Sequence, residues 1–244
     1  MTEPRGAGAQ PKYQRVLEKL RKAIREGEYD ADVRLPAEPE LAEQYGVSLM
    51  TLRKALDLLK VEGVIEGRQG AGNYARDREL LQYGGDVGSI PWVTRVSEAL
   101  DVDEVAVSRK MQPPVHVARA LGLGPDGKTL RHTCRLLQNG RPVRSVHTYL
   151  PYDLVAADAL AGGEINLERL HRTLARLGRA PVSADESVRC RLPTSEEAIQ
   201  LAIPPARFVI HAYRTVYDGD DLPVEVQETI MDSASYVLSY RLAL

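Results

Sequence analysis

The 244-residue chain contains no run of eighteen apolar residues, the length a membrane-crossing helix needs. Its first residues, MTEPRGAGAQPKYQ, have no apolar core of the secretory-signal kind. Both absences lead to the expectation of a cytoplasmic protein with no membrane partner. Cysteine is scarce: Cys134 and Cys190 stand far apart, without a Cys-x-x-Cys or a His-rich neighbourhood. That excludes a disulfide framework and a zinc site and leaves two reduced thiols. His116, His132, His171 and His211 show no ligand spacing, so no metal or other cofactor is expected. Charge of one sign is lacking too. The net charge is −2, with 14 Lys and Arg against 13 Asp and Glu up to Arg78, and 18 against 21 beyond it. Any basic footprint must therefore come from arrangement. No P-loop, Ser-His-Asp order or close carboxylate pair speaks for an enzyme.

What is present is 43 % hydrophobic content, enough for two modest domains. Tyr13, Val16, Leu17, Leu20 and Ile24 follow the spacing of an amphipathic helix that Gly27 would end. Leu35-Pro36 marks a turn before a short helix from Glu38 to about Tyr45, with Gly46 as its left-handed terminus. Ser48 is suited to cap a third helix running to about Glu62. The following VIEGRQGAGNYA reads as two short strands joined by a turn at Gly70-Ala71-Gly72. Three helices and a hairpin make a winged helix-turn-helix, whose third helix enters the major groove.

On that third helix Leu52, Ala55, Leu56 and Leu59 fall on one side and Met50, Arg53, Lys54 and Asp57 on the other. The polar side is left free to meet DNA. An arginine near the start of such a helix can pair bidentately with guanine, worth about 1–3 kcal/mol of discrimination. Arg53 is the expected base reader, Lys54 a phosphate contact. Ser48 and Thr51 can serve phosphate oxygens near the helix N-terminus or act as caps alone.

The stretch RLPAEPELAEQYGVSLMTLRKALDLLKVEGVIEGRQGAGNY resembles the DNA-binding domain of GntR-type bacterial transcription regulators. The chain keeps Arg34, Leu35, Pro36, Glu38, Val47, Ser48, Thr51, Arg53, Gly70 and Gly72 of the family pattern. The resemblance implies operator contacts from Arg34, Arg53 and the wing around Gly70 and Gly72. It departs at two places. Ala37 replaces the usual Ser, removing a helix-capping hydroxyl opposite Glu40 at a cost of about 1 kcal/mol. Leu49 replaces the usual Arg beside Ser48. Either Leu49 packs on a thymine methyl, or Arg53 with Arg68 carries more of the contact.

Gly84, Gly85, Gly88 and Pro91 place an interdomain linker over residues 77–91, between a head of residues 1–76 and a second domain of residues 92–244. Beyond it, DEVAVSR, TLRHTCRLLQ and GRPVRSVHTYLP read as strands, the last two joined through Asn139-Gly140. INLERLHRTLARLG and SEEAIQLA read as helices. Strands are expected near residues 182–191 and over RFVIHAYRTVYD, LPVEVQETIM and SYVLSYRL, with a hairpin at Asp218-Gly219-Asp220. Together they predict an α+β domain with an antiparallel sheet.

PPVHVARALGL, NGRPVRSVHTYLP and LAIPPARFVIHAYRTVYDGDDLPVEV resemble the UTRA effector-binding domain of the HutC subfamily, whose fold is like that of chorismate lyase. In sugar-phosphate-sensing relatives the paired strands offer an Arg-x-Arg and a Glu. This chain keeps Arg135 but has Leu137 and His147 at the other two places. The loss of a cation points to an apolar or singly charged effector, with Arg135, His147, Tyr149, Glu225 and Tyr236 as candidate pocket residues. The resemblance thus implies a homodimeric, effector-modulated repressor acting on double-stranded DNA at a palindromic operator. A plasmid replication or transfer-control protein without an effector, and a lyase-like enzyme, are the competing readings.

Overall fold

The computed structural model describes residues 10–31, 33–68, 70–76, 80–86, 100–155 and 167–241. The chain forms two compact units that divide after Glu79. Among the described residues no helix is long and apolar enough to cross a membrane.

The first unit contains α1 (Lys12–Arg25), α2 (Glu38–Gln44), α3 (Leu49–Val61), β1 (Ile65–Arg68) and β2 (Gly72–Ala75). Val16, Leu17, Leu20 and Ile24 of α1 close on Leu52, Ala55, Leu56 and Leu59 of α3, with Leu35, Leu41, Ile65 and Ala75 filling the same core. The stripe read from the sequence is the buried one: all four α3 residues are 0 % exposed. Gly46 takes φ +61, so the chain reverses from α2 into the turn before α3 without a Cβ penalty. At the start of α2, Ala37 offers no side-chain oxygen, and only half of a capping box survives: its N–H donates to Glu40 Oε2 at 3.1 Å. β1 and β2 pair antiparallel, Ile65 opposite Ala75 and Arg68 opposite Gly72. Arg34 adds a bridge to Tyr74, and Leu35 N–H donates to Asn73 O at 2.8 Å, tying the entry to α2 onto the wing.

The second unit contains β3 (Leu81–Asp86), β4 (Asp101–Met111), α4 (Val115–Ala120), β5 (Thr129–Gln138), β6 (Arg141–Pro151), α5 (Tyr152–Val155), α6 (Leu167–Arg176), β7 (Pro181–Arg191), α7 (Ser195–Gln200), β8 (Val209–Asp218), β9 (Pro223–Asp232) and β10 (Tyr236–Arg241). Six strands form an antiparallel sheet in the order β4-β5-β6-β9-β8-β7. The β5–β6 turn is at Asn139-Gly140, both at positive φ, as the sequence predicts.

A symmetry that sequence analysis did not reveal organises this unit. Strand, short helix and hairpin occur twice, as β4-α4-β5-β6 and β7-α7-β8-β9, and the sheet order is unchanged when the halves are exchanged. Both short helices close with the same six-residue bond, Leu123 N–H to Ala118 O at 2.9 Å and Ile203 N–H to Ala198 O at 3.0 Å. The left-handed residue is Gly122 in one and Ala202, at φ +51, in the other.

Two expectations need correction. Leu81–Asp86, read as part of a linker, is a strand paired in parallel with Tyr236–Arg241; of the other linker residues only Leu80 is described, and 77–79 and 87–91 lie outside the described residues. Gly84, one of the glycines that suggested flexibility, serves close approach instead: it has φ +124, and a Cβ there would lie 2.2 Å from Ser239 O. Consequently β10 belongs to this second, two-stranded sheet and not to the antiparallel one.

The large sheet is covered on both sides. α4 and α7 pack on one face, through Val117 and Leu121 against Tyr149 and Val226, and through Ala198 and Leu201 against Val209 and Ile230. On the other, α6 packs against Leu130, Leu150 and Val216, and the β3–β10 pair against Ile210, Ala212 and Met231.

Candidate nucleic-acid interface and ligand site

The exposed side of α3 begins with two apolar side chains, Leu49 at 40 % and Met50 at 82 % exposure. Sequence reasoning singled out Leu49, but the more projecting group is Met50. Ser48 caps the helix, accepting from Thr51 N–H at 3.3 Å, and its hydroxyl shares a 2.9 Å hydrogen bond with that of Thr51. The capping role of Ser48 is thus filled, and both hydroxyls already have a partner.

Arg53 is exposed on α3 and donates from Nε to Glu38 Oε2 at 2.7 Å. That pair joins the first turn of α2 to the recognition helix and fixes the direction of the guanidinium. Glu38 was missed as a site residue, although its place at a helix start beside Pro39 was visible. Lys54 lies with Nζ 3.9 Å from the centroid of the Tyr13 ring, a cation–π contact that ties α3 to α1. A phosphate would have to compete for it.

In the wing, Arg68 donates to Glu66 at 2.7 Å and lies 4.0 Å over the Tyr74 ring. Gly70, at φ +73, has open space where a Cβ would stand, so its backbone is accessible at the tip. Gly72 differs: a Cβ there would lie 2.9 Å from Arg34 Nε. The missing side chain makes room for Arg34, which reaches across the wing. Arg34, the wing and the front of α3 are thus drawn together on one small scaffold.

The five residues proposed for a ligand pocket in the second unit divide between the two faces of the large sheet. Thr133, His147, Glu228 and Tyr213 form one row across β5, β6, β9 and β8, while His132, Thr148, Gln227, Arg214 and Glu186 form the adjacent row on the opposite face. Arg135, His147 and Tyr149 belong to the first face; Glu225 and Tyr236 lie on the second. One pocket cannot hold all five.

On the α4/α7 face the polar groups are engaged with one another. Arg135 bonds Asp103 on the neighbouring strand. His147 shares hydrogen bonds with Thr133 Oγ1 at 3.1 Å and Ser145 Oγ at 3.4 Å, and burial holds its pKa below the usual value. Arg189 donates to His211 Nδ1 at 3.2–3.3 Å, which leaves the ring proton on Nε2, 3.5 Å from Glu228 Oε1. His116 Nε2 approaches the same oxygen at 3.0 Å. Burial would raise the pKa of Glu228, but the two histidines outweigh it and hold it below the usual range.

The opposite face is different. Glu225 is fully buried and meets His171 at 3.3 Å from one oxygen. Arg214 is buried with Glu186 at 2.8 Å, and Tyr83 donates to the same carboxylate at 2.6 Å. Beside them Arg144, 8 % exposed, has no ion-pair partner among the described residues; its Nε is unmatched there, and its guanidinium lies against the hydroxyl of the buried Tyr236. Arg144 lies 5.9 Å from the Tyr83 ring centroid. Burial raises the pKa of Tyr236 and of Cys134, and in both cases the Arg144 charge pulls the other way. Sequence reasoning missed Arg144, since nothing in GRPVRSV tells an inward arginine from a solvated one. Among the described residues no cluster of His, Cys, Asp or Glu is arranged to hold a metal.

Comparison with known proteins agrees with this architecture. Residues 12–74 match the model of the bacterial regulatory proteins of the gntR family, and residues 103–237 match that of the UTRA domain. The HTH-type transcriptional repressor NagR of Bacillus subtilis is 27 % identical over 224 residues, covering 85 % of this chain and 84 % of that protein. A probable fructoselysine utilization operon transcriptional repressor of Shigella flexneri is 24 % identical over 229 residues, covering 88 % of each. The solved structure of PhnF from Mycobacterium smegmatis covers 93 % of this chain and 99 % of its own, with a TM-score of 0.54 at 20 % identity, a likeness of fold. With a winged helix carrying Arg53 outward and a UTRA domain spanning more than half of its length, the chain belongs to the GntR family of bacterial regulatory proteins and is a DNA-binding transcriptional repressor of the effector-modulated kind.

Proposed function

We propose that this cytoplasmic repressor reads its operator with the front of α3 and takes its effector on the Arg144–Tyr236 face of the large sheet. Arg53, held by Glu38, is the base reader; Leu49 and Met50 meet thymine methyl groups; Arg34, Arg68 and the Gly70 backbone follow the phosphates alongside the wing. Lys54 joins them by leaving Tyr13 for a phosphate. Ser48 and Thr51 serve chiefly as the cap, and Gly72 serves by admitting Arg34. The protein acts as a homodimer on a palindromic site, each head taking one half.

The observation that carries the effector reading is the buried Arg144, which has no carboxylate paired with it among the described residues and shares its site with the buried Tyr236 hydroxyl. A buried cation is costly unless paired, and a ligand anion would supply the partner. One such cation, with Cys134, Val146 and Tyr83 around it, suits a singly charged ligand with an apolar or aromatic body, such as a carboxylate. Effector and operator are coupled reciprocally, so each weakens binding of the other by the same factor.

Titration of DNA from upstream of the gene by the wild type, Arg53→Ala and Leu49→Arg, at two salt concentrations, tests the reader. Loss of discrimination against random DNA in Arg53→Ala supports it; retained discrimination moves recognition elsewhere. Leu49→Arg tightens binding to all DNA with a steeper salt dependence if Leu49 makes no base contact, and changes the preferred sequence if it does. For the effector, thermal shift is measured with a panel of monocarboxylates and phosphomonoesters. Stabilisation by a monocarboxylate that disappears in Arg144→Met supports the site. Stabilisation that persists in the variant overturns it.

A further inference from the structure

Among the described residues no large apolar side chain is more exposed than Met50, and Leu49 beside it is also open to solvent. They are the first two residues of α3, at the end of a recognition helix that meets base edges. An isolated exposed leucine needs no explanation. Two apolar side chains in succession at this place do, because the hydroxyls around them are used on each other: Ser48 accepts from Thr51 N–H, and the two hydroxyls share a hydrogen bond. Arg53 lies three and four residues further on, so it shares their side of the helix. Its Nε is held by Glu38 at 2.7 Å, which leaves the Nη groups of the fork for a base.

In the major groove guanine offers two acceptors, O6 and N7, and thymine offers an apolar group, its 5-methyl. Leu49 and Met50 lie about 4.5–6 Å before Arg53 along the helix axis, against about 3.4 Å between base pairs. A methyl group met by this pair would stand one or two base pairs from the guanine met by Arg53. Neither side chain carries a strong donor or acceptor, so neither can tell the O4 of thymine from the N4 amino group of cytosine. What the pair can sense is the methyl group itself.

We propose that Leu49 and Met50 read a pyrimidine 5-methyl group and not thymine as such, so that 5-methylcytosine is accepted there like thymine, while unmethylated cytosine loses the contact. This rests on the reading of α3 as the operator reader and names the chemical group its leading end recognises. It makes the affinity of the DNA head responsive to cytosine methylation close to the guanine contact, a signal separate from the effector. Covering one methyl group corresponds to about a fourfold change in affinity.

The full chain is titrated by fluorescence anisotropy with duplexes of the DNA upstream of its gene, changed one base at a time. Uracil for thymine removes the methyl group alone. One or two positions in each half-site should then bind about fourfold more weakly, within two base pairs of the guanine whose contact Arg53→Ala removes. At those positions a 5-methylcytosine–guanine pair should bind about fourfold more tightly than an unmethylated one. Leu49→Ser with Met50→Ser should abolish both differences, and its thermal midpoint reports that the head is folded. Binding indifferent to uracil and to 5-methylcytosine, while Arg53→Ala still abolishes operator discrimination, overturns the methyl reading and leaves the reader standing. A uracil effect that persists in the Leu49→Ser, Met50→Ser protein assigns the methyl group to another residue and overturns it as well. Retained discrimination in Arg53→Ala removes the reading of α3 on which it rests.

Discussion

Replacing Gly84 by Ala separates the two readings of the QYGGD stretch by the sign of its effect. In a flexible linker the change would be neutral or would stabilise by about 0.4–1 kcal/mol, because alanine has fewer unfolded conformations to lose. In the folded protein Gly84 stands at φ +124, and the added Cβ would lie 2.2 Å from Ser239 O and 3.0 Å from Ser239 C. Both are backbone atoms, so no side chain can swing aside. The unfavourable φ costs about 1–3 kcal/mol. Parting β3 from β10 around Gly84 loses two or so ladder hydrogen bonds at about 1 kcal/mol each. A loss of about 3–5 kcal/mol is expected. It would be felt by the residues the strand pair holds in place, Leu81, Tyr83 and Tyr236, each 5–7 % exposed. Urea denaturation of the full chain gives the loss, and amide hydrogen exchange at Tyr83 and Leu238 locates it. Gly219→Ala is the control, since nothing lies within 4 Å of its added Cβ. A Gly84→Ala protein as stable as the wild type, with β3 and β10 amides equally protected, would refute the reasoning.

Four further outcomes are expected. Ala37→Ser completes the capping box that Glu40 already half forms, and should raise stability by about 1 kcal/mol in thermal denaturation. Ala202→Gly relieves a left-handed alanine where the sister helix has Gly122, and should stabilise by about 1 kcal/mol; a loss would show that the Ala202 methyl packs usefully. Arg53→Ala should abolish operator discrimination with no change in thermal midpoint, since its pair with Glu38 is at the surface. Burial holds His132 and His147 below the ordinary histidine pKa of about 6.5. In that window the unfolded chain binds more protons than the folded one, so stability should fall as pH drops below 6.5 towards the folded values. His132→Asn with His147→Asn should flatten that part of the profile.

The winged helix was legible because its signals are local. The three-and-four spacing of Leu52, Ala55, Leu56 and Leu59, the cap at Ser48 and the glycines after each helix act within a turn or two, and they fix which side of α3 is buried. The same locality made Asn139-Gly140 readable as a hairpin turn. Most strands of the second unit were placed for a similar reason, since runs such as RFVIHAYRTVYD leave little else for their backbones to do.

Only the tertiary structure decided which residues share a site. A strand shows alternate residues to opposite faces, so the relation of His147 to Tyr236 depends on sheet register, and Arg135, His147 and Tyr149 proved to face away from Tyr236. The parallel partnership of Leu81–Asp86 with Tyr236–Arg241 joins segments about 150 residues apart, for which no neighbouring residue gives a cue. Arg144 is the sharpest case. Its sequence surroundings are those of a solvated strand arginine, and it becomes a buried cation only when β3 and β10 close over the sheet. Local propensity fixed the reading head, while long-range pairing determined what the sheet can bind, because burial and register are properties of the folded chain and not of any short stretch.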